Sequence, residues 1–500
     1  MKPRFLLAIA CVLAVQGAEA AGPATGSTRS NLAATRQHYS QLVQGPVPNT
    51  ALLTLFTNML PKGGDLHHHY SGAIYAENYL EWVGALNYCV YRATDAALKA
   101  EKFRIASKPQ ELSDPARAIC TGADAVREDN AFYRELLMHW SDKDYGNHFH
   151  EQRAPDQQFF DTFGYFGAVS SYDYRGGLRS LKARAQAENL GYLETMLRGG
   201  PVIDKPELES LLNALTAQSS APQIDEALAR AHQLLANDAD TAARVADYAK
   251  SLEEAAAGID DETFRLRFQS YASRNSTPAK VFSSLYTSFA ALKHTRLLVG
   301  VNILGPENGH VAMRDYSLHM RMLAFLKGRF PEARLSLHAG ELAMGMVPPE
   351  GLRSHIREAV LVAGAQRIGH GVDIAHEEDA AGLMDVMKQR KVAVEVNLTS
   401  NEFILGVKDE AHPLRLYARH GVPFLISTDD AGVSRNNLST EYLLYVSRYR
   451  PSYDELKRVV YNSIRYAFLP EDEKREETAK LDRRFAEFEA RIARLPRPGR

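Results

Sequence analysis

Short β-rich runs in the second half of the chain recur at nearly one spacing, and this regularity restricts the fold more than any other feature. The runs cover residues 296–305, 334–341, 367–371, 392–401 and 423–430, and each leads into a stretch of helical pattern. Polar or glycine residues close them at Gly305, His338, His370, Asn397 and Asp429, which lie 33, 32, 27 and 32 positions apart. That is the period of a strand with its covering helix. Such units close into a parallel α/β barrel whose strands all end at one mouth, so side chains far apart in sequence converge there.

A chain of 500 residues, 45% hydrophobic and 24% charged, can bury a core of that size. Its 59 Lys and Arg nearly cancel 61 Asp and Glu, which leaves no general field for nucleic acid or for an anionic membrane surface. A small or neutral ligand is the expectation.

Residues 1–20 have the pattern of a secretory signal: Lys2 and Arg4, an apolar run over 5–15, then Ala18-Glu19-Ala20. The run is too short to span a bilayer. Cys11 hints at lipoprotein processing, but Ala8 stands where leucine is usual and the apolar run would be cut short. Export to the periplasm or beyond is expected. Cleavage after Ala20 would leave Cys89 and Cys120, and in an oxidising compartment a disulfide is favoured over two buried thiols.

Further organisation follows from local pattern. Residues 21–60 read as a mobile leader, to about 47, running into a helix whose apolar face is Leu52, Leu53, Leu55, Phe56 and Leu60, stopped by Pro61. The barrel is expected over 61–470, with a small insertion at about 88–133 after the first strand and a helical insertion at about 205–257 before the fourth. Residues 471–500 read as a charged, solvated helix and tail.

Four motifs carry chemistry. In His67-His68-His69, strand alternation turns the first and third imidazoles to one face, a pair suited to zinc. A structural pair has the same spacing. His148 and His150 repeat it in a polar, turn-rich stretch, where the plain structural reading is preferred. His338-Ala339-Gly340-Glu341 ends a strand in an imidazole and turns to present a carboxylate, a candidate proton carrier. Gly369-His370-Gly371 leaves room around an imidazole, and Thr428-Asp429-Asp430 delivers two adjacent acids at an apolar strand end. Singly, each also fits packing or helix capping.

Together, in this order and at strand ends, the motifs resemble the adenosine deaminase family of the amidohydrolase superfamily. The resemblance covers residues 59–84 and 296–445. The export signal, the Pro61-Lys62-Gly63 start, the 89–120 insertion, and Trp140 followed by Phe159-Phe160-Asp161-Thr162-Phe163 look more like the secreted, growth-factor-related branch. The resemblance implies a (β/α)8 TIM barrel and one Zn2+ per chain, held by His67, His69, His338 and Asp429. It further implies hydrolytic loss of the 6-amino group of adenosine or a related purine nucleoside, with zinc-bound hydroxide attacking C6. Glu341 would protonate N1, His370 would orient the hydroxide or stabilise the developing oxyanion, Asp430 would contact N7 and the Gly305 N–H would meet N3. The partners expected are a small purine nucleoside and no nucleic acid, with homodimerisation left open.

Three positions depart from the family pattern. Ser71 stands where an aspartate contacts the ribose 5′-hydroxyl, Asn302 where another aspartate is usual, and Pro306 follows Gly305. We read these as changes at the sugar end that admit 5′-modified or non-ribosyl adenine compounds. Two other readings fit the residues less well. A binuclear amidohydrolase needs a bridging lysine at the end of strand four, where the nearest upstream candidate is Lys293, before the strand begins. A non-catalytic extracellular module would be expected to have lost a ligand or the acid, and none is missing. Cysteine-ligated deaminases need a Pro-Cys-x-x-Cys segment that the chain lacks.

Overall fold

A computed structural model describes residues 28–92, 103–143, 145 and 153–496. The signal at 1–20 with Cys11, the start of the leader, and His148 and His150 lie outside the described residues.

Among the described residues the strands are β1 (Lys62–Asp65), β2 (Cys89–Arg92), β3 (Phe103–Ala106), β4 (Thr121–Gly122), β5 (Leu190–Met196) and β6 (Arg265–Ser273). They continue as β7 (Leu298–Leu304), β8 (Ser336–Ala339), β9 (Arg367–His370), β10 (Ala393–Val396) and β11 (Phe424–Ile426). Two parallel four-stranded sheets, β1-β5-β6-β7 and β8-β9-β10-β11, form the frame. Both seams are bridged. Val301 pairs with Leu335 between β7 and β8, and His68 with Asp429 between the ends of β11 and β1. The result is the expected (β/α)8 barrel, with its apolar layer between strands and covering helices in one continuous core.

The five sequence-derived runs hold β7 to β11. The strands β5 and β6 escape the pattern because they turn polar side chains inward: Glu194 and Gln269 are buried, where an ordinary strand would bury apolar groups. Their presence corrects one placement. The helical insertion, comprising Pro206–Leu212, Ala221–Ala236 and Ala239–Ala256, lies between the second and third barrel strands, β5 and β6, rather than directly before the fourth.

The insertion after β1 is a three-stranded antiparallel sheet, β3-β2-β4, stapled by a Cys89–Cys120 disulfide. At the N-terminus the expectation of a mobile leader fails over Thr28–Val43, which is a helix burying Tyr39 and Leu42. It packs on the C-terminal helix Glu471–Ile492, which is solvated on one face only and buries Leu481, Phe485, Phe488 and Ile492 on the other. Phe56, on the intervening helix Thr50–Met59, joins the two, with ring centroids 5.2 Å from both Tyr39 and Phe488. No helix among the described residues is long and apolar enough to cross a membrane.

Candidate metal centre

At the mouth the ends of β1, β8 and β11 bring four nitrogen and oxygen atoms together. The Nε2 atoms of His69 and His338 lie 3.2 Å apart. Asp429 Oδ1 is 3.2 Å from His69 Nε2 and 3.4 Å from His67 Nε2. Alternation past β1 works as read from sequence: His68 turns away, with Nδ1 2.9 Å from the Thr195 hydroxyl oxygen, and burial lowers its pKa to about 3.

The rings are held from behind. His67 Nδ1 is 2.8 Å from Glu395 Oε2, and His338 Nδ1 is 2.9 Å from Asn302 Oδ1. Both acceptors are oxygens, so each ring carries its hydrogen on Nδ1 and turns an Nε2 lone pair into the site. His67 Nε2 has no hydrogen-bond partner among the described residues. A side chain at 369 could not coexist with this arrangement, because a Cβ on Gly369 would lie 2.5 Å from His67 Cε1. Although burial opposes charge, the carboxylates of Asp429 and Glu395 push the His67 pKa up to about 10. Lone pairs and a carboxylate this close demand a cation between them, either a proton or a metal.

His370 is held in the opposite sense. The Leu414 N–H, which can only donate, points at His412 Nδ1 (3.1 Å), so His412 donates from Nε2 to Asn401 Oδ1 (3.0 Å). The Asn401 amide nitrogen is then left to donate to His370 Nδ1 at 2.9 Å. The His370 hydrogen therefore sits on Nε2, which lies 3.6 Å from Glu341 Oε1 and 3.9 Å from Asp429 Oδ2. Although His370 falls geometrically in a group with His67, His338 and Asp429, it presents a donor where the others present lone pairs. His370 and Asp429 also adopt left-handed backbone, with φ of 67° and 62°, a strained state for residues with side chains that clusters at functional sites.

The acids differ by surroundings. Asp429, despite burial, is held well below the usual carboxylate range by the His67 and His69 imidazoles beside it. Burial, then the Asp429 charge, pushes both Glu341 and Asp430 well above it. Burial thus favours the protonated form of two carboxyls beside one whose ionised form is favoured. Asp430 packs on Gly72, where any side chain would collide with its carboxyl. Ser71 lies beside it on the short helix Tyr70–Ala73, its carbonyl accepting from the Tyr79 hydroxyl at 2.6 Å. Gly305 closes β7 with φ of 109°.

A family model for adenosine deaminase matches residues 244–484. An adenosine deaminase from Escherichia coli (strain SMS-3-5 / SECEC) is 32% identical over 187 residues, covering 37% of this chain and 51% of that protein. Over these residues the chain is similar to the adenosine deaminase family. A second relative, the adenosine deaminase of Yersinia pseudotuberculosis, is 33% identical over 184 residues, covering 37% of this chain and 50% of its own. The chain spans about half the length of the curated relatives it matches. Among solved structures, an Arabidopsis N6-mAMP deaminase superposes with a TM-score of 0.52 at 19% identity, over 86% of this chain and 99% of that one. An amidohydrolase from Burkholderia ambifaria with bound Zn gives 0.53 at 16% identity, over 90% and 97%. These likenesses show the same barrel fold.

The adenosine deaminase family implies a divalent metal, and the buried imidazole and carboxylate group of this chain fits one on its own geometry. Asn302 changes its meaning: placed from sequence at the sugar end, it instead lies under His338, accepting from both its ring and its backbone N–H. Lys293 precedes β7 at the opposite end of the barrel, over the Phe330 ring, away from these imidazoles. Sequence reasoning missed Glu395, Asn401, His412 and Glu307. Only Glu395 carried a signal, an acid in the middle of the apolar strand β10. It also missed Asp142, whose buried carboxylate has no hydrogen-bond partner among the described residues and raises Asp430.

Proposed function

We propose that this chain is a zinc-dependent aminohydrolase that removes the 6-amino group of an adenine nucleoside, giving the 6-oxopurine and ammonia. One observation carries the reading: the Nε2 atoms of His67, His69 and His338 gather around Asp429 beside the buried carboxyls of Glu341 and Asp430 and the His370 donor. Three imidazoles and one carboxylate suit zinc, which when bound would supply Lewis-acid activation of water at neutral pH.

The chain's own residues do the rest. Glu341, protonated in its buried position, gives its proton to purine N1 and so makes C6 electron-poor. The Nε2–H of His370 steadies the oxygen that arrives at C6. Asp430, also protonated, donates to N7, and the Gly305 N–H meets N3. Ser71 meets the sugar with a neutral hydroxyl. We also read the protein as exported to the periplasm or beyond, on the strength of residues 1–20 and the Cys89–Cys120 disulfide.

Metal analysis together with an ammonia-release screen tests the reading. The screen covers adenosine, deoxyadenosine, adenine, 5′-methylthioadenosine, AMP and guanine compounds. One zinc per chain and ammonia from adenine nucleosides are expected. Two equal metals, or no ammonia from any adenine compound, would overturn the assignment.

A further inference from the structure

We infer that Glu307 is the positioning residue of the proton carrier Glu341, an inference that rests on the function proposed above. Glu307 belongs to a neighbouring unit of the barrel: it follows Gly305-Pro306 at the end of β7, whereas Glu341 follows β8. Its carboxylate reaches across the gap and accepts two successive backbone hydrogens, from Gly340 to Oε1 at 3.1 Å and from Glu341 to Oε2 at 2.8 Å. These amides lie beyond the end of β8, where a buried N–H without an acceptor costs about 1–3 kcal/mol. Gripping both fixes the peptide planes on either side of Gly340, and with them the direction in which Glu341 leaves the backbone.

The grip is itself anchored from two further elements. His355 Nδ1 meets Glu307 Oε1 at 2.5 Å, and its ring lies flat on Tyr316, with centroids 3.6 Å apart and planes 2° from parallel. Arg274 Nη1 lies 3.4 Å from Glu307 Oε2, while its Nη2 donates to the carbonyls of His338 at 2.6 Å and Ile303 at 3.1 Å. Two amides, an imidazole and a guanidinium thus face one carboxylate, and all four can act as donors. A glutamine there would turn its own amide hydrogens toward one of them. Burial notwithstanding, Arg274 and His355 hold the Glu307 carboxyl down to about 2, so it stays ionised as the acceptor this arrangement needs. With both its oxygens engaged by these donors, Glu307 acts on the reaction through Glu341.

The test is a double-mutant cycle with two readouts. Glu307→Gln and Glu341→Gln are made singly and together, and kcat, KM, zinc content and amide hydrogen exchange over residues 338–343 are measured. Loosening the acid is expected to lower kcat by about a hundredfold, with KM within about threefold and zinc retained. Exchange at Gly340 and Glu341 should quicken. In the Glu341→Gln background the same change should cost less than about threefold further, because its target is already gone. Equal losses in both backgrounds, or unchanged exchange at the two amides, would overturn the inference. If Glu307→Gln does not fold, His355→Phe keeps the stack on Tyr316 and removes one anchor; it should show the same background dependence at smaller size, and its absence would equally overturn the inference. Should the parent protein release no ammonia from any adenine compound, the proposed function falls, and the exchange readout alone decides whether Glu307 holds the turn.

Discussion

What lies behind each imidazole decides which of its nitrogens faces the cavity. His67 and His338 give their Nδ1 hydrogens to oxygens of Glu395 and Asn302, whereas His370 receives one from Asn401. Asn302→Leu removes the acceptor without changing the bulk much, so His338 loses its tautomer and its aim. Metal affinity should fall about 10–100-fold, as read by competition with a chelator, and an unchanged affinity would show that the ring is fixed some other way. Glu341→Gln keeps the shape of the acid and removes its proton. Turnover should drop about a hundredfold or more at full metal content, and near-normal activity would rule it out as the proposed proton carrier. The groups facing the mouth were legible in the chain because they cluster in short motifs at strand ends. Asn302, Asn401 and Glu307 were not, since a single amide or acid in a strand or loop reads the same whether it braces a catalytic group or merely caps a backbone.

At the scale of elements, regular alternation carried β7 to β11 and failed at β5 and β6, where Glu194 and Gln269 occupy positions that an apolar interior would give to valine or leucine. The Thr28–Val43 helix escaped for another reason: its weak apolar face gains meaning only from the aromatic cluster of Phe56 and Phe488 that it covers. The insertion after β1 was legible from its cysteines. Joining positions 31 residues apart, the disulfide should contribute about 3–4 kcal/mol to this subdomain through the entropy of its unfolded form. In Cys89→Ser/Cys120→Ser, proteolysis and hydrogen exchange should therefore accelerate over residues 88–122 while the barrel transition stays put. A barrel that melts earlier by the same amount would show that the insertion and barrel unfold together.

Across the whole molecule, the helices after β10 and β11 are tied by a buried carboxyl. Glu441, on helix Leu438–Tyr449, accepts from the Thr399 amide and hydroxyl at the start of Leu398–Leu405 and from Asn436. Burial outweighs these donors and raises its pKa to about 7, against 4.5 for a free glutamate. The folded protein therefore holds this proton more tightly than the unfolded chain does. The stability so gained is complete below about pH 4.5 and is lost as pH rises through about 7, with a span of up to about 3 kcal/mol. Urea unfolding of the parent and of Glu441→Gln from pH 5 to 8 should reveal a stability difference that drifts against the parent as pH rises. A constant difference would refute the assignment.

The interior of the barrel reaches up into the mouth. Arg367 runs from Glu194 to Glu395, at 2.5 Å from each, and Glu395 in turn steadies His67. The same guanidinium lies 3.7 Å over the ring of Phe468, the residue whose backbone N–H is held by Glu194. The footing of one metal-facing ring is therefore sunk through the middle of the protein. Transplanting only the rim loops onto another eight-stranded scaffold would carry the donors across and leave this foundation behind.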